Sequence, residues 1–287
     1  MLRATLLQAT HHFDAAQRDL VEVIRRERGN VQAWLTQATV QVVRADYAAA
    51  RASCARLAAL APPIVAATCA ANVGSMTGQL AGSRALLETV FAREGGRDPD
   101  VDAWVRTLLA DMAERAGDAA GARRWYEAAL KEDANDTYLA GAYADFLLDH
   151  DGADEVLKLL ARRQNVDGLL LRYAIALRQL GRSAELAAVS AELDARFAAA
   201  MQRGDGVHQR EQAMYELRLK GNGARALALA QQNWAVQKES ADARVLLEAA
   251  AATGERAAAA PVLNWMRAGR IEDLRLTRLA RTWGALQ

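Results

Sequence analysis

A chain of 287 residues, 52% of them hydrophobic and 66 of them alanine, can bury a sizeable core and is too apolar for an ordinary disordered polymer. Four prolines and few β-branched runs favour closely packed helices over sheets. Lys plus Arg is 36 against 35 for Asp plus Glu, a net charge of +1, which excludes a global field that would gather nucleic acid or an anionic membrane.

The start, MLRATLLQATHHFDAAQRD, has no basic n-region, long apolar core or cleavage site, and no segment approaches eighteen uninterrupted apolar residues. No direct membrane insertion is expected. Two cysteines, Cys54 and Cys69, are too few for a disulfide framework in a chain this long, and no CxxC occurs. They read as small packed hydrophobes in a cytoplasmic protein, with the periplasm as the alternative if a signal or anchor has been removed.

In chain order, Phe13, Ala16, Leu20, Val23 and Asn30 hold the later positions of a helical hairpin whose first helix is cut short at Met1. This is a partial first repeat over about residues 1–30. From Val31 the pattern is complete: Trp34, Ala38, Tyr47, Ala50, Leu57 and Pro62 fall at positions 4, 8, 17, 20, 27 and 32 of a 34-residue unit, with a turn at Ala45-Asp46-Tyr47. This unit resembles the tetratricopeptide repeat. Ala67, Ala71, Leu80 and Leu87 carry the next unit, and Ala110, Gly117, Ala122, Tyr126 and Ala129 a further strong one.

Position 16 of successive units is Asp46, Gln79, Asp118, Gly152, Arg182, Asn222 and Glu255. Irregular spacing places insertions at Arg93–Pro99 and Gln202–Gly206, both of loop composition. A long helix is expected to run to about Met201. Repeats therefore extend over about residues 31–273, followed by a capping helix at about 271–283, all in one array over residues 1–287.

The resemblance implies an all-α fold, a right-handed superhelical solenoid of antiparallel helix pairs in which neighbouring hairpins bury one another's apolar faces. It also implies a concave surface lined by the first helix of each unit. The expected protein-binding residues there are Trp104, Asp111, Tyr138, Asp145, Arg178, Tyr215 and Arg218, since Tyr and Trp combine contact area with hydrogen bonding and charges lie beside them. Family members that grip a peptide C-terminus use lysines and asparagines at such positions; only Asn72 corresponds here.

Catalytic patterns are missing. His11, His12, His150 and His208 contain no i,i+4 pair, so no metal is expected, and they read as solvated turn residues. No GxSxG and no phosphate loop occurs, so neither an enzyme nor a cofactor is expected. Charge is segregated along the chain: Val101–Leu160 holds 13 acidic and 6 basic residues. The function expected is a non-enzymatic scaffold or adaptor for a protein or peptide. A self-associating assembly subunit, forming a homo-oligomer, and a helical accessory region of a larger membrane-associated or glycosyltransferase-type system are the alternatives; nucleic acid is not an expected partner.

Overall fold

The computed structural model describes residues 1–204 and 208–283. Among these, seventeen α-helices follow one another with no strand, and sequential helices pair as antiparallel hairpins. The pairs are α1 (Leu2–Ala9) with α2 (Phe13–Arg26), α3 (Val31–Val43) with α4 (Tyr47–Leu57), α5 (Pro63–Ser75) with α6 (Leu80–Glu94), and α7 (Pro99–Ala116) with α8 (Ala119–Glu132). They continue as α9 (Thr137–Leu148) with α10 (Ala153–Leu160), α11 (Asp167–Gln179) with α12 (Ser183–Gln202), α13 (Gln209–Tyr215) with α14 (Gly223–Val236), and α15 (Ser240–Thr253) with α16 (Arg256–Gly269). A π-helical turn, Glu216–Lys220, extends α13, and α17 (Leu274–Arg281) follows the last pair. The all-α hairpin solenoid expected from the repeat is the fold observed.

The turns explain the repeat register. Each of the seven position-16 residues is the N-cap of the second helix of its hairpin. Asp46, Asp118 and Asn222 use their side chains, which accept from the backbone N–H groups of Ala49, Gly121 and Arg225. The residue just before each N-cap has positive φ: Ala45, Gly78, Gly117, Asp151, Gly181, Gly221 and Gly254. That left-handed residue ends the first helix and reverses the chain, and glycine reaches it without steric cost. His11 and His12 repeat the device between α1 and α2, so the first pair is turned in the same way despite its short α1.

Small residues set the hairpin spacing. Ala38 and Ala50 are both buried in one cluster between α3 and α4, and Ala110 and Ala122 do the same for α7 and α8. The Arg93–Pro99 insertion spans the end of α6, a loop over residues 95–98 and the first residue of α7, and Asp98 caps α7. Of the Gln202–Gly206 insertion, Asp205 and Gly206 lie outside the described residues.

Cys54 and Cys69 are not separate packed hydrophobes. They form a disulfide between α4 and α5, with Cα atoms 5.5 Å apart. The second helix of one hairpin faces the first helix of the next, so two cysteines on the apolar faces of consecutive helices meet across a single turn.

The array curves until its ends touch. The Lys238 N–H donates to the Val43 carbonyl at 2.7 Å, and the Trp265 indole donates to the Tyr47 hydroxyl at 2.9 Å. The α16–α17 segment continues this seam: Glu272 accepts from the Leu80 N–H at 2.6 Å, Arg275 pairs with Glu114 of α7, and Leu274 lies over Gly117. Helix α17 packs on α15 and reaches α7, so it bridges the two halves of the array.

Candidate functional site

Closure brings α7, α9, α13 and the start of α15 around one aromatic. Tyr138, in the first turn of α9, is 65% exposed, yet Asp111 of α7, Arg210 of α13, and Glu239 and Asp242 at the start of α15 all lie near enough to act on its hydroxyl. Poor solvation of the phenolate, then the Glu239 and Asp111 charges, hold its pKa above the ordinary tyrosine value. Its ring is open to solvent on an inner wall that charged groups surround.

The charges beside it are unevenly matched. Arg210 is shared by three carboxylates, at 3.3 Å from Glu211, 3.4 Å from Asp242 and 3.6 Å from Glu239. Asp242 is held rigidly: it accepts from Asn233 at 2.8 Å, from Gln237 at 3.0 Å and from the Glu239 N–H at 3.0 Å, completing a capping box at the start of α15. Burial works against the Glu211 charge, but Arg210 and Arg172 outweigh it and keep that carboxyl below its usual range. Glu239 goes the other way: burial and its neighbour Asp242 raise it. Carboxylates therefore outnumber the arginine they share beside Tyr138, and burial pushes one of them, Glu239, toward its protonated form.

His11 belongs to this wall. It lies half-buried in the first turn, and burial, then Arg210, lowers its pKa, so it favours the neutral form. On the seam side, Glu114 is buried, accepts from the Tyr126 hydroxyl at 2.9 Å and pairs with Arg275; burial dominates and raises it to about 7.

The seven residues expected to line the groove are distributed unevenly. Asp111 and Tyr138 come together on the inner wall, with Asp111 taking the Arg115 guanidinium at 2.8 Å. Asp145 accepts from Arg172 at 2.5 Å, and Arg218 pairs with Glu248 at 2.8 Å. Arg178 is exposed and donates to the carbonyls of Arg218 and Leu219. Trp104 is half-buried against an apolar cluster that includes Val105 and Leu109. Tyr215 is only 3% exposed, packs on Phe197, and donates to Asp194 at 2.9 Å.

Sequence reasoning missed His11, Arg210, Glu239 and Asp242. His11, Glu239 and Asp242 lie at a turn or a helix start that the repeat pattern does not index, and Arg210 falls at position 4 of its unit, where Trp34 stands in the complete unit and the pattern expects packing rather than charge.

The folded chain also recombines its charges. Four acids of the Val101–Leu160 segment are met by arginines from outside it: Asp118 by Arg84, Asp145 by Arg172, Asp149 by Arg244, and Glu114 by Arg275. Among the described residues no group of three or more His, Cys, Asp or Glu side chains is arranged to hold a metal ion, and no helix is long and apolar enough to cross a membrane.

No family model and no curated protein sequence matches this chain. Among solved structures, a tetratricopeptide repeat protein from Parabacteroides merdae has a TM-score of 0.48 and 15% identity over 88% of this chain and 98% of that one. The TPR domain of P58(IPK) has a TM-score of 0.30 and 13% identity over 98% and 95%. Yeast Tom70 has a TM-score of 0.34 and 9% identity over 96% of this chain and 59% of that one. The chain is similar to tetratricopeptide-repeat structures at low identity. The inner wall around Tyr138 is the candidate site.

Proposed function

We propose that the chain is a non-enzymatic scaffold that binds a protein or peptide segment on the inner wall of its superhelix. The observation that carries this reading is Tyr138: a large aromatic held open to solvent on a concave, charge-lined surface, where contact area and a hydroxyl are both available to a ligand. The acidic surround, in which Glu211, Glu239 and Asp242 share Arg210 and Arg172 also acts on Glu211, favours a segment carrying a basic side chain. Asp111 borders the same space, and Asp145, Arg178 and Arg218 frame the α9–α11–α13 side through their ion pairs and carbonyl contacts. Trp104 and Tyr215 support the wall from within the helix layers.

An oxidising compartment such as the periplasm, the second of the two locations the sequence leaves open, suits this reading, because a disulfide such as Cys54–Cys69 persists there. The scaffold reading is tested by capturing partners with the purified chain and comparing Tyr138→Ala. Partner affinity is expected to fall by about 1–2 kcal/mol, with the melting temperature unchanged because the ring packs on little. Equal affinity for the two proteins would remove Tyr138, and with it the inner-wall site, from the proposal.

A further inference from the structure

The C-terminal edge of the array carries arginines that outnumber the acids among them. Between Arg256 and Arg281 lie six arginines and two acids, Glu272 and Asp273. Asp273 is buried, caps α17 through the Arg275 and Leu276 N–H groups, and pairs with Arg275. Glu272 is turned into the seam, on the Leu80 N–H. Arg275 itself is spent on Glu114.

The other five, Arg256, Arg267, Arg270, Arg278 and Arg281, are all exposed, and among the described residues none of them forms an ion pair. Two have only neutral contacts: Arg256 donates to the Trp283 carbonyl at 3.0 Å and Arg267 to Asn264 at 2.8 Å.

Their placement is ordered. Arg256 and Arg267 are three helical turns apart on one face of α16, roughly 16 Å along its axis. Arg278 and Arg281 share a face of α17 at i,i+3. The Arg256–Trp283 bond brings the start of α16 beside the end of α17, grouping Arg256 with Arg281. At the other end Arg270 lies against Gly78, and Arg51 of α4 donates to the adjoining Thr77 at 3.2 Å, so the strip gains a sixth exposed guanidinium across the seam.

We propose that this arginine edge is a docking surface for an acidic protein segment, one rich in aspartate and glutamate. A guanidinium fork donates two parallel N–H bonds to one carboxylate, and among the described residues none of these five is already ion-paired. A long polyanion has less to gain: with a net charge of +1 the rest of the surface offers it no continuing positive track, whereas a segment of a few carboxylates matches the strip. The edge lies outside the inner wall, so the array would hold two segments of opposite charge at once.

The test is fluorescence anisotropy with a labelled deca-glutamate peptide and the full chain. Saturable binding is expected, weakening roughly tenfold or more between about 50 and about 500 mM salt because the contacts are exposed. The double variant Arg278→Glu, Arg281→Glu should lose roughly tenfold or more in affinity while melting at the same temperature, whereas Tyr138→Ala should bind the peptide like the original chain. That last comparison separates this edge from the inner-wall site. If the α17 variant unfolds, Arg256→Glu with Arg267→Glu carries the same expectation on α16. No saturable binding, affinity unchanged by charge reversal, or tighter binding of duplex DNA or phosphatidylserine vesicles than of the peptide would each overturn the proposal.

Discussion

Glu114 and Glu239 are the side chains whose chemistry depends most on the fold. Burial raises both, Glu114 to about 7 from an ordinary 4.5, so over the interval between those values the native state holds protons that the unfolded chain releases. Their contribution to stability is complete below about pH 4.5 and is lost as pH rises through about 7. Glu211 and Glu248, held low by arginines, act oppositely, and their contribution is lost only as pH falls below about 4.5. The melting temperature is therefore expected to fall between pH 5 and pH 8, and Glu239→Gln, which keeps an oxygen for the capping box, should flatten that slope. A melting curve independent of pH in this window would contradict the burial assigned to these groups. Neither behaviour was legible in the sequence, because both depend on helices far apart in the chain: Glu114 meets Arg275 of α17, and Glu239 stands near Asp111 of α7.

At the level of helices the sequence was far more informative, and the reason is local. A left-handed residue followed by an N-cap needs specific residue types, and Gly117-Asp118 and Gly221-Asn222 announce themselves without reference to any partner. Alanine at Ala38 and Ala50 is legible for the same reason, since two helices of one hairpin must approach closely wherever the array sits. Contacts between hairpins were only half visible. Cys54 and Cys69 could each be assigned to a packed helix face, but not to one another, because their pairing requires the apolar faces of α4 and α5 to be known to meet. The bond closes a short loop, with a sequence separation of 15, and chain-entropy reasoning gives it about 3 kcal/mol of stabilisation. Chain prepared without reductant should show no thiol reactive to alkylation when unfolded, and a reductant should lower the unfolding free energy measured in urea by about 3 kcal/mol. Free thiols in the unreduced protein would overturn the pairing.

Over the whole molecule, the repeat pattern predicts an array and says nothing about its ends finding each other. The bonds that close it, Leu80 to Glu272 and Tyr47 to Trp265, span 192 and 218 residues, well beyond the reach of any periodic signal. Closure also decides what the inner residues do, since it gathers Tyr138, Arg210, Glu239 and His11 around one space. Arg275→Ala tests the seam. It leaves the buried Glu114 with only the Tyr126 hydroxyl, and a loss of about 1–3 kcal/mol is expected in urea unfolding. An unchanged midpoint and slope would mean that the Arg275–Glu114 pair does not hold the seam.

An open array of hairpins is stabilised chiefly by nearest neighbours, so it can be shortened by a unit and can begin to fold while still being synthesised. The Leu80–Glu272 and Arg275–Glu114 contacts remove that freedom from this chain. Its early hairpins leave the ribosome with one flank bare, and α6 and α7 must wait for Glu272 and Arg275, translated more than a hundred residues later, before their own surfaces are complete.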